Sequence, residues 1–353
     1  MDQQIQDIIK RISPLDKTSL ESAKARQDTL TKPLGSLGKL EELSIQIAGI
    51  KAQPIPRTDR KAVIVMASDH GVVAEGVAPY PQEVTVQMVS NFVQGGAAIN
   101  VLARLAGARV TIVDIGVAGA LPPGPVVKSR KIAPGTANMA QVPAMTYQQA
   151  EQSIKTGIDI FEQEFARGLD IVATGEMGIG NTTASSAICA VITGHPAEKV
   201  TGKGTGLDEE GLKRKIEIVK KAIEVNRPSN RDPLDVLAKV GGFEIGGLAG
   251  VILGAASHRI PVVIDGFISG AAALIAVGMS LQVRPYLIAA HVSAEPGHKI
   301  MLEHMGLHPL VNLGMRLGEG TGGMIGLMLC DAATRTLAEM ATFGEAGVSE
   351  AKE

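Results

Sequence analysis

Five short apolar runs rich in branched residues, Ala62–Ala67, Arg109–Ile115, Leu169–Thr174, Pro261–Asp265 and Tyr286–His291, recur along the chain with helix-length stretches between them. Runs without polar alternation are strands buried on both faces, and connections long enough for a helix suit parallel pairing. The expected fold is therefore α/β, a parallel sheet flanked by helices. Ligands of such sheets sit beyond the carboxyl ends of the strands. That rule directs attention to Asp69 and His70, Asp114 to Gly116, Gly175 and Glu176, Asp265 and Gly266, and His291 to Ser293.

The chain has 353 residues, enough for one large domain and a small appendage. Hydrophobic residues make up 45% and there are 41 glycines, which favours tightly packed helices on a sheet rather than disorder. The net charge of -2 comes from scattered charges, so no basic face exists to neutralise a nucleic-acid backbone. Trp is absent, and three Tyr and six Phe supply few stacking platforms for single strands. The opening MDQQIQDIIKRISPLD lacks an apolar secretion core, so a cytoplasmic location is expected. The apolar region Ile245–Val283 is interrupted by Ser257, His258, Arg259 and Asp265 and reads as packed core, with no membrane partner. Cys189 and Cys330 lie in apolar runs and read as buried small hydrophobes.

Ile5, Ile8, Ile9 and Ile12 show helical spacing, and a second short helix is expected before Ala25. Pro33, Gly35 and Gly38 mark a loop, after which Leu40 to Ala48 resumes a helical pattern. Met324–Ala341 reads as a final helix returning to the N-terminal ones, and the tail 344–353 is expected to fray.

Three glycine-rich segments carry the chemistry. GEMGIGNTT, residues 175–183, joins a strand to the apolar helical stretch Ala184–Ile192. Its glycines allow backbone to approach an anion, and Asn181 or Thr182 is expected to cap a helix whose amides favour phosphate. The spacing of Gly175, Gly180 and Thr182 nearly spells a triphosphate-binding loop, but Asn181 stands where the lysine belongs. A monophosphate suits it better than ATP, and a tight turn with no ligand is the alternative. TGKGTGLDEEGLKRK, residues 201–215, is a second such stretch, with Asp208 as helix cap and Lys203 or Lys215 as cation. RLGEGTGG, residues 316–323, sets Glu319 among glycines after what reads as a helical segment. Partial burial there raises a carboxyl pKa and makes it a better general base near neutrality. Neither His70 nor His291 has a partner at metal-ligand spacing, so no metal is expected.

RQDTLTKPLGSLGKLE, DHGVVAEGV, GEMGIGNTT, KVGGFEIGGLAG, VIDGFISGAAAL, VRPYLIAAHVSAEPGH and MRLGEGTGG occur in this order over nearly the whole chain. In these motifs the chain resembles the nicotinate-nucleotide:dimethylbenzimidazole phosphoribosyltransferases of cobalamin nucleotide-loop assembly. The resemblance implies a Rossmann-like sheet in a large domain, 39–335, and a small helical domain from both termini, 1–38 and 336–353. It also implies a homodimer with small-molecule substrates, nicotinate mononucleotide and dimethylbenzimidazole, and no cofactor.

It implies roles as well. Glu319 matches the family's proton acceptor, and Glu176 a second carboxylate near the aromatic base. The loop of Gly175, Gly178, Gly180, Asn181 and Thr182, with Gly202 and Lys215, resembles the phosphate and ribose site. Ser293 corresponds to a serine near the nucleotide, and Gly320, Thr321 and Gly322 would lie against the ligands. Tyr80 and Met88 fall in the benzimidazole pocket, where some relatives carry smaller or polar residues. Another acceptor base, such as adenine or a phenol, and a non-catalytic nucleotide-binding role stay open alternatives.

Overall fold

A computed structural model describes residues 1–121 and 126–349. Six parallel strands form one sheet: β1 (Lys61–Ser68), β2 (Ala108–Gly116), β3 (Val127–Ser129), β4 (Ile171–Met177), β5 (Val262–Ile264) and β6 (Leu287–Ala289). Their order is β3-β2-β1-β4-β5-β6, which makes the fold a doubly wound, Rossmann-like α/β sheet whose chain direction across the sheet reverses between β1 and β4. Five of these strands correspond to the apolar runs. The sixth, β3, is a three-residue edge strand, half exposed, whose Val-Lys-Ser sequence carries no apolar pattern.

β1 is buried along its whole length, and its side chains alternate between two cores. Ala62, Ile64 and Met66 join one core with the helices Tyr147–Ala166, Asn181–Thr193, Phe243–Ser257 and Phe267–Met279. Val63, Val65 and Ala67 join the other with Lys39–Lys51, Glu83–Gln94, Ala98–Ala106 and Thr321–Glu339. The period of two thus explains why the strands read as unbroken apolar runs: both faces are covered. The apolar stretch beyond Ile245 becomes two helices buried on nearly every side, Phe243–Ser257 and Phe267–Met279. Among the described residues no helix is long and apolar enough to cross a membrane.

The chain ends meet. Helix Lys17–Thr29 sends the Arg26 guanidinium to the Leu337 carbonyl (2.7 Å), and the Thr31 amide donates to Ala341 (3.0 Å). Helix Gln3–Arg11 instead buries Ile5 and Ile8 in the large core. The tail begins with a short helix, Phe343–Ala346; the rest of the stretch expected to fray includes residues 350–353, which lie outside the described residues. Both cysteines are buried and free.

Candidate active site

The carboxyl ends of β4, β5 and β6 open onto a cleft of about 610 Å³, a size suited to small molecules. Its lining includes the apolar side chains of Tyr80, Val84, Met88, Ile179, Phe267 and Leu317 and the polar or charged ones of Glu176, Asp265, His291, Ser293, Glu295, Arg316 and Glu319. Of the strand-end residues singled out by sequence, Glu176, Asp265, Gly266, His291 and Ser293 line this cleft. Those after β1 and β2 do not, because they hold loops: Asp69 accepts the Ala118 amide (2.7 Å) and Asp114 the Val117 amide (2.9 Å).

Glu319 sits in a sharp turn just before helix Thr321–Glu339. Gly318, Glu319 and Gly320 all have left-handed φ, of 84°, 63° and 98°. For a glutamate this conformation costs about 1–2 kcal/mol and requires neighbours that hold it. Asp265 supplies them, accepting the Gly320 amide (3.2 Å) and the Gly323 amide (2.9 Å) at the helix start. The Thr321 hydroxyl closes the turn by donating to the Gly318 carbonyl (2.8 Å). The Glu319 carboxylate accepts the Ile99 amide (3.2 Å) in the first turn of helix Ala98–Ala106. Burial raises the Glu319 pKa above the usual carboxylate value; the Ile99 amide opposes this and Asp265 adds to it. No helix precedes this turn directly: the segment read as helical is irregular, since helix Pro296–Met305 ends at Gly306.

Glu176 is the penultimate residue of β4 and pairs with Met66 of β1. Burial, then the nearby Asp265, Glu244 and Glu319 carboxylates, push its pKa up to about 8, with the Asn181 amide opposing. At neutral pH Glu176 therefore keeps its proton. The Asn181 side-chain amide donates to Glu176, and Asn181 does not cap the helix, being its first residue. Nor does Thr182: the cap position is Gly180, with no side-chain cap bond, because Gly180 is left-handed and Asn181 already lies inside the helix.

Thr182 is committed elsewhere. Its hydroxyl accepts from the Lys215 ammonium at 2.7 Å. Lys215 projects from helix Glu209–Asn226, whose cap Asp208 accepts the Gly211 amide (2.7 Å) as its sequence suggests. The ammonium is fully buried, and desolvation brings its pKa down to about 8 against the pull of Glu295. Glu295 in turn accepts the Gly204 amide (2.9 Å). Ser293 receives the Glu295 amide at 3.3 Å, and its own amide donates to His298 Nδ1 (2.8 Å). Burial, aided by His291, holds the His298 pKa down at about 3, so the ring is the neutral acceptor this bond needs.

Of the residues to which the resemblance assigns a role, eight line the cleft: Tyr80, Met88, Glu176, Gly178, Asn181, Thr182, Ser293 and Glu319. Seven stand behind its wall. Gly175, Gly202 and Gly322 pack against Glu319, Glu295 and His291 respectively; Gly180, Gly320 and Thr321 shape turns; Lys215 reaches in through Thr182. The cleft side chains that sequence reading passed over include Val84, Phe267, Glu295 and Arg316. Val84 carried a signal, since it lies four residues before Met88 on one helix face. Among the described residues no three His, Cys, Asp or Glu side chains are grouped to hold a metal ion. His304 and His308 are four apart in sequence, yet their helix ends between them at Met305.

The sequence pattern that describes the family "Phosphoribosyltransferase" matches residues 12–348. The nicotinate-nucleotide–dimethylbenzimidazole phosphoribosyltransferase of Desulforudis audaxviator (strain MP104C) is 60% identical over 344 residues, 98% of each chain. The enzyme of the same name from Chloroflexus aurantiacus (strain ATCC 29366 / DSM 635 / J-10-fl) is 58% identical over 346 residues, 98% of this chain and 99% of its own. A crystal structure of the enzyme of that name from Thermus thermophilus superposes with a TM-score of 0.91 at 46% identity, covering 96% of this chain and 100% of its own. With near-complete coverage in sequence and in fold, the chain belongs to the nicotinate-nucleotide–dimethylbenzimidazole phosphoribosyltransferase family.

Proposed function

We propose that the cleft transfers the 5-phosphoribosyl group of nicotinate mononucleotide to 5,6-dimethylbenzimidazole, with Glu319 as general base. The observation that carries this reading is the pair of buried acids, Glu176 and Glu319, in a cleft also lined by apolar side chains and by Thr182, which accepts from Lys215. Neighbouring buried carboxyls resist joint ionisation, so one is held protonated while the other stays available as a base. With Glu176 titrating at about 8, the available base is Glu319.

The leaving nitrogen of nicotinate mononucleotide is already a pyridinium. When its bond to C1′ breaks, the electron pair returns to the ring and nicotinate departs with a neutral nitrogen. One benzimidazole nitrogen bonds to C1′ from the opposite face, and the proton on the other passes to Glu319. Inversion gives α-ribazole 5′-phosphate. The rate gain assigned to proton removal is about 10²–10⁴-fold, with the rest due to positioning. Lys215, Thr182 and the backbone of residues 178–182 would hold the phosphate, Ser293 the sugar, and Tyr80, Val84, Met88 and Phe267 the flat acceptor.

The test is to incubate the purified chain with nicotinate mononucleotide and dimethylbenzimidazole in a chelating buffer. α-Ribazole 5′-phosphate and an equal amount of nicotinate are expected. Tight nucleotide binding without nicotinate release would instead make this a nucleotide-binding protein. Higher kcat/KM with adenine or a phenol would reassign the acceptor. A cytoplasmic homodimer is part of the same proposal, and light scattering at assay concentration tests the dimer.

A further inference from the structure

His70 and Glu244 are both buried and face each other, with His70 Nε2 2.7 Å from Glu244 Oε1 although 174 residues separate them in sequence. Neither lines the cleft, and the transfer described above uses neither. Burial opposes a charge on the ring, but Glu244 and then Asp69 outweigh it and hold the His70 pKa above the usual imidazole value, which favours the imidazolium. Glu244 stands in the first turn of helix Phe243–Ser257, where free amides favour a carboxylate. Its Oε2 has no hydrogen-bond partner among the described residues, so His70 is the side chain that balances it.

A buried ion pair is weak evidence of stabilisation, because removing both ions from water can cost as much as their attraction returns. The position of this one is more telling, for its ring is wedged between two loops. A Cβ built on Gly242 would collide with His70 Cε1. A Cβ on Gly180 would lie 3.3 Å from His70 Cβ, and one on Gly178 would lie 3.5 Å from its Cδ2 and collide with the Ser68 carbonyl oxygen. Gly178 and Gly180 therefore rest on His70, and the next residue, Asn181, gives its side-chain amide to Glu176. The ionisable groups acting on Glu176 are Asp265, Glu244 and Glu319, and those acting on His70 are Glu244 and Asp69. Glu244 belongs to both sets.

Resting on the reading of Glu176 as the protonated partner of Glu319, we infer that His70 and Glu244 are positioning residues for Glu176: the ring is the floor of the segment that presents the Asn181 amide to Glu176, and it balances the Glu244 charge that acts on that acid. Loss of the imidazolium leaves the Glu244 charge uncompensated and loosens Asn181, and both changes favour the proton on Glu176. Loss of the Glu244 charge has the opposite effect.

Thermal melting tests this without requiring turnover. Glu176→Gln is always neutral, so the pH range over which its melting temperature gains on that of its parent marks where Glu176 titrates. The upper end of that range, about 8 in the wild type, should move up when both proteins carry His70→Gln and down when both carry Glu244→Gln. His70→Gln keeps a donor for Glu244; if it does not fold, Glu244→Gln, which keeps the shape of its side chain, decides by the same readouts. Each substitution should lower kcat about 10- to 100-fold with KM for nicotinate mononucleotide within about 2-fold, and each loss should shrink in a Glu176→Gln background. A range that neither substitution moves, or losses that simply add to that of Glu176→Gln, would overturn the inference and make the pair a structural strut. A raised KM for the mononucleotide at unchanged kcat would also overturn it. Melting shifts as described in a protein that transfers nothing would refute the reaction and leave the hold of His70 and Glu244 on Glu176 standing.

Discussion

Gly175 in β4 has its α-carbon pressed against the backbone of Glu319: a Cβ built at Gly175 would collide with the Glu319 carbonyl oxygen. The turn that carries the proposed base is therefore seated directly on the sheet, and its position depends on the absence of a side chain at Gly175. Gly175→Ala should push that turn outward. Displacements near 1 Å cost about 10²-fold in turnover, and overpacking costs about 1–3 kcal/mol of stability. Steady-state kinetics and thermal unfolding check this, and kcat should suffer more than donor affinity.

Glu319→Gln keeps the size of the side chain and an acceptor for the Ile99 amide, but cannot take a proton. Turnover should drop about 10²–10⁴-fold while nicotinate mononucleotide binds as before. Burial raises the Glu319 pKa, so wild-type kcat should fall on the acid side as the carboxylate protonates. That limb should be missing from the residual activity of the variant. Unchanged turnover would remove Glu319 from the role.

Glu176 connects the site to stability. Its usual value is 4.5 and its folded value is about 8, so the folded protein holds an extra proton between these limits. The stability contributed by the neutral acid is full below 4.5 and is lost as pH rises through 8. Glu176→Gln is permanently neutral. Its melting temperature should gain on wild type as pH is raised across that window, and parallel melting curves at both ends would show the acid is not perturbed.

Lys215 has the opposite sign. Desolvation lowers it from 10.5 to about 8, so the folded state binds fewer protons than the unfolded chain within that range and stability rises with pH there. Lys215→Met removes a buried charge while filling similar space. The variant should melt at or above the wild-type temperature at pH 7, with the difference shrinking as pH rises toward 10.5, while KM for the mononucleotide rises about 10- to 100-fold. Loss of stability at pH 7 together with unchanged KM would place Lys215 in a structural role.

The strands β1, β2, β4, β5 and β6 could be read from sequence because their burial leaves a local mark, an unbroken branched apolar run. β3 could not, since its Val127–Ser129 backbone is paired only because β2 lies beside it. The glycine turns were likewise visible, as were Glu176 and Glu319, because an acid among glycines is conspicuous. The helix-capping role expected of Asn181 failed because left-handed Gly180 takes the cap position, which leaves Asn181 inside the helix.

Asp265 shows where local reading stops. Its place after β5 marked it as near a site, but its task is to hold the amides of Gly320 and Gly323, which lie 55 and 58 residues further along the chain. Periodicity and glycine placement in the chain by themselves determined the layers, the end of the sheet that binds ligand and the two acids. Only tertiary structure decided which of those strand ends share one cleft, which acid keeps its proton and which carboxylate pairs with His70. Those outcomes depend on desolvation and on distances between segments far apart in sequence, and neither quantity leaves a trace in the order of neighbouring residues.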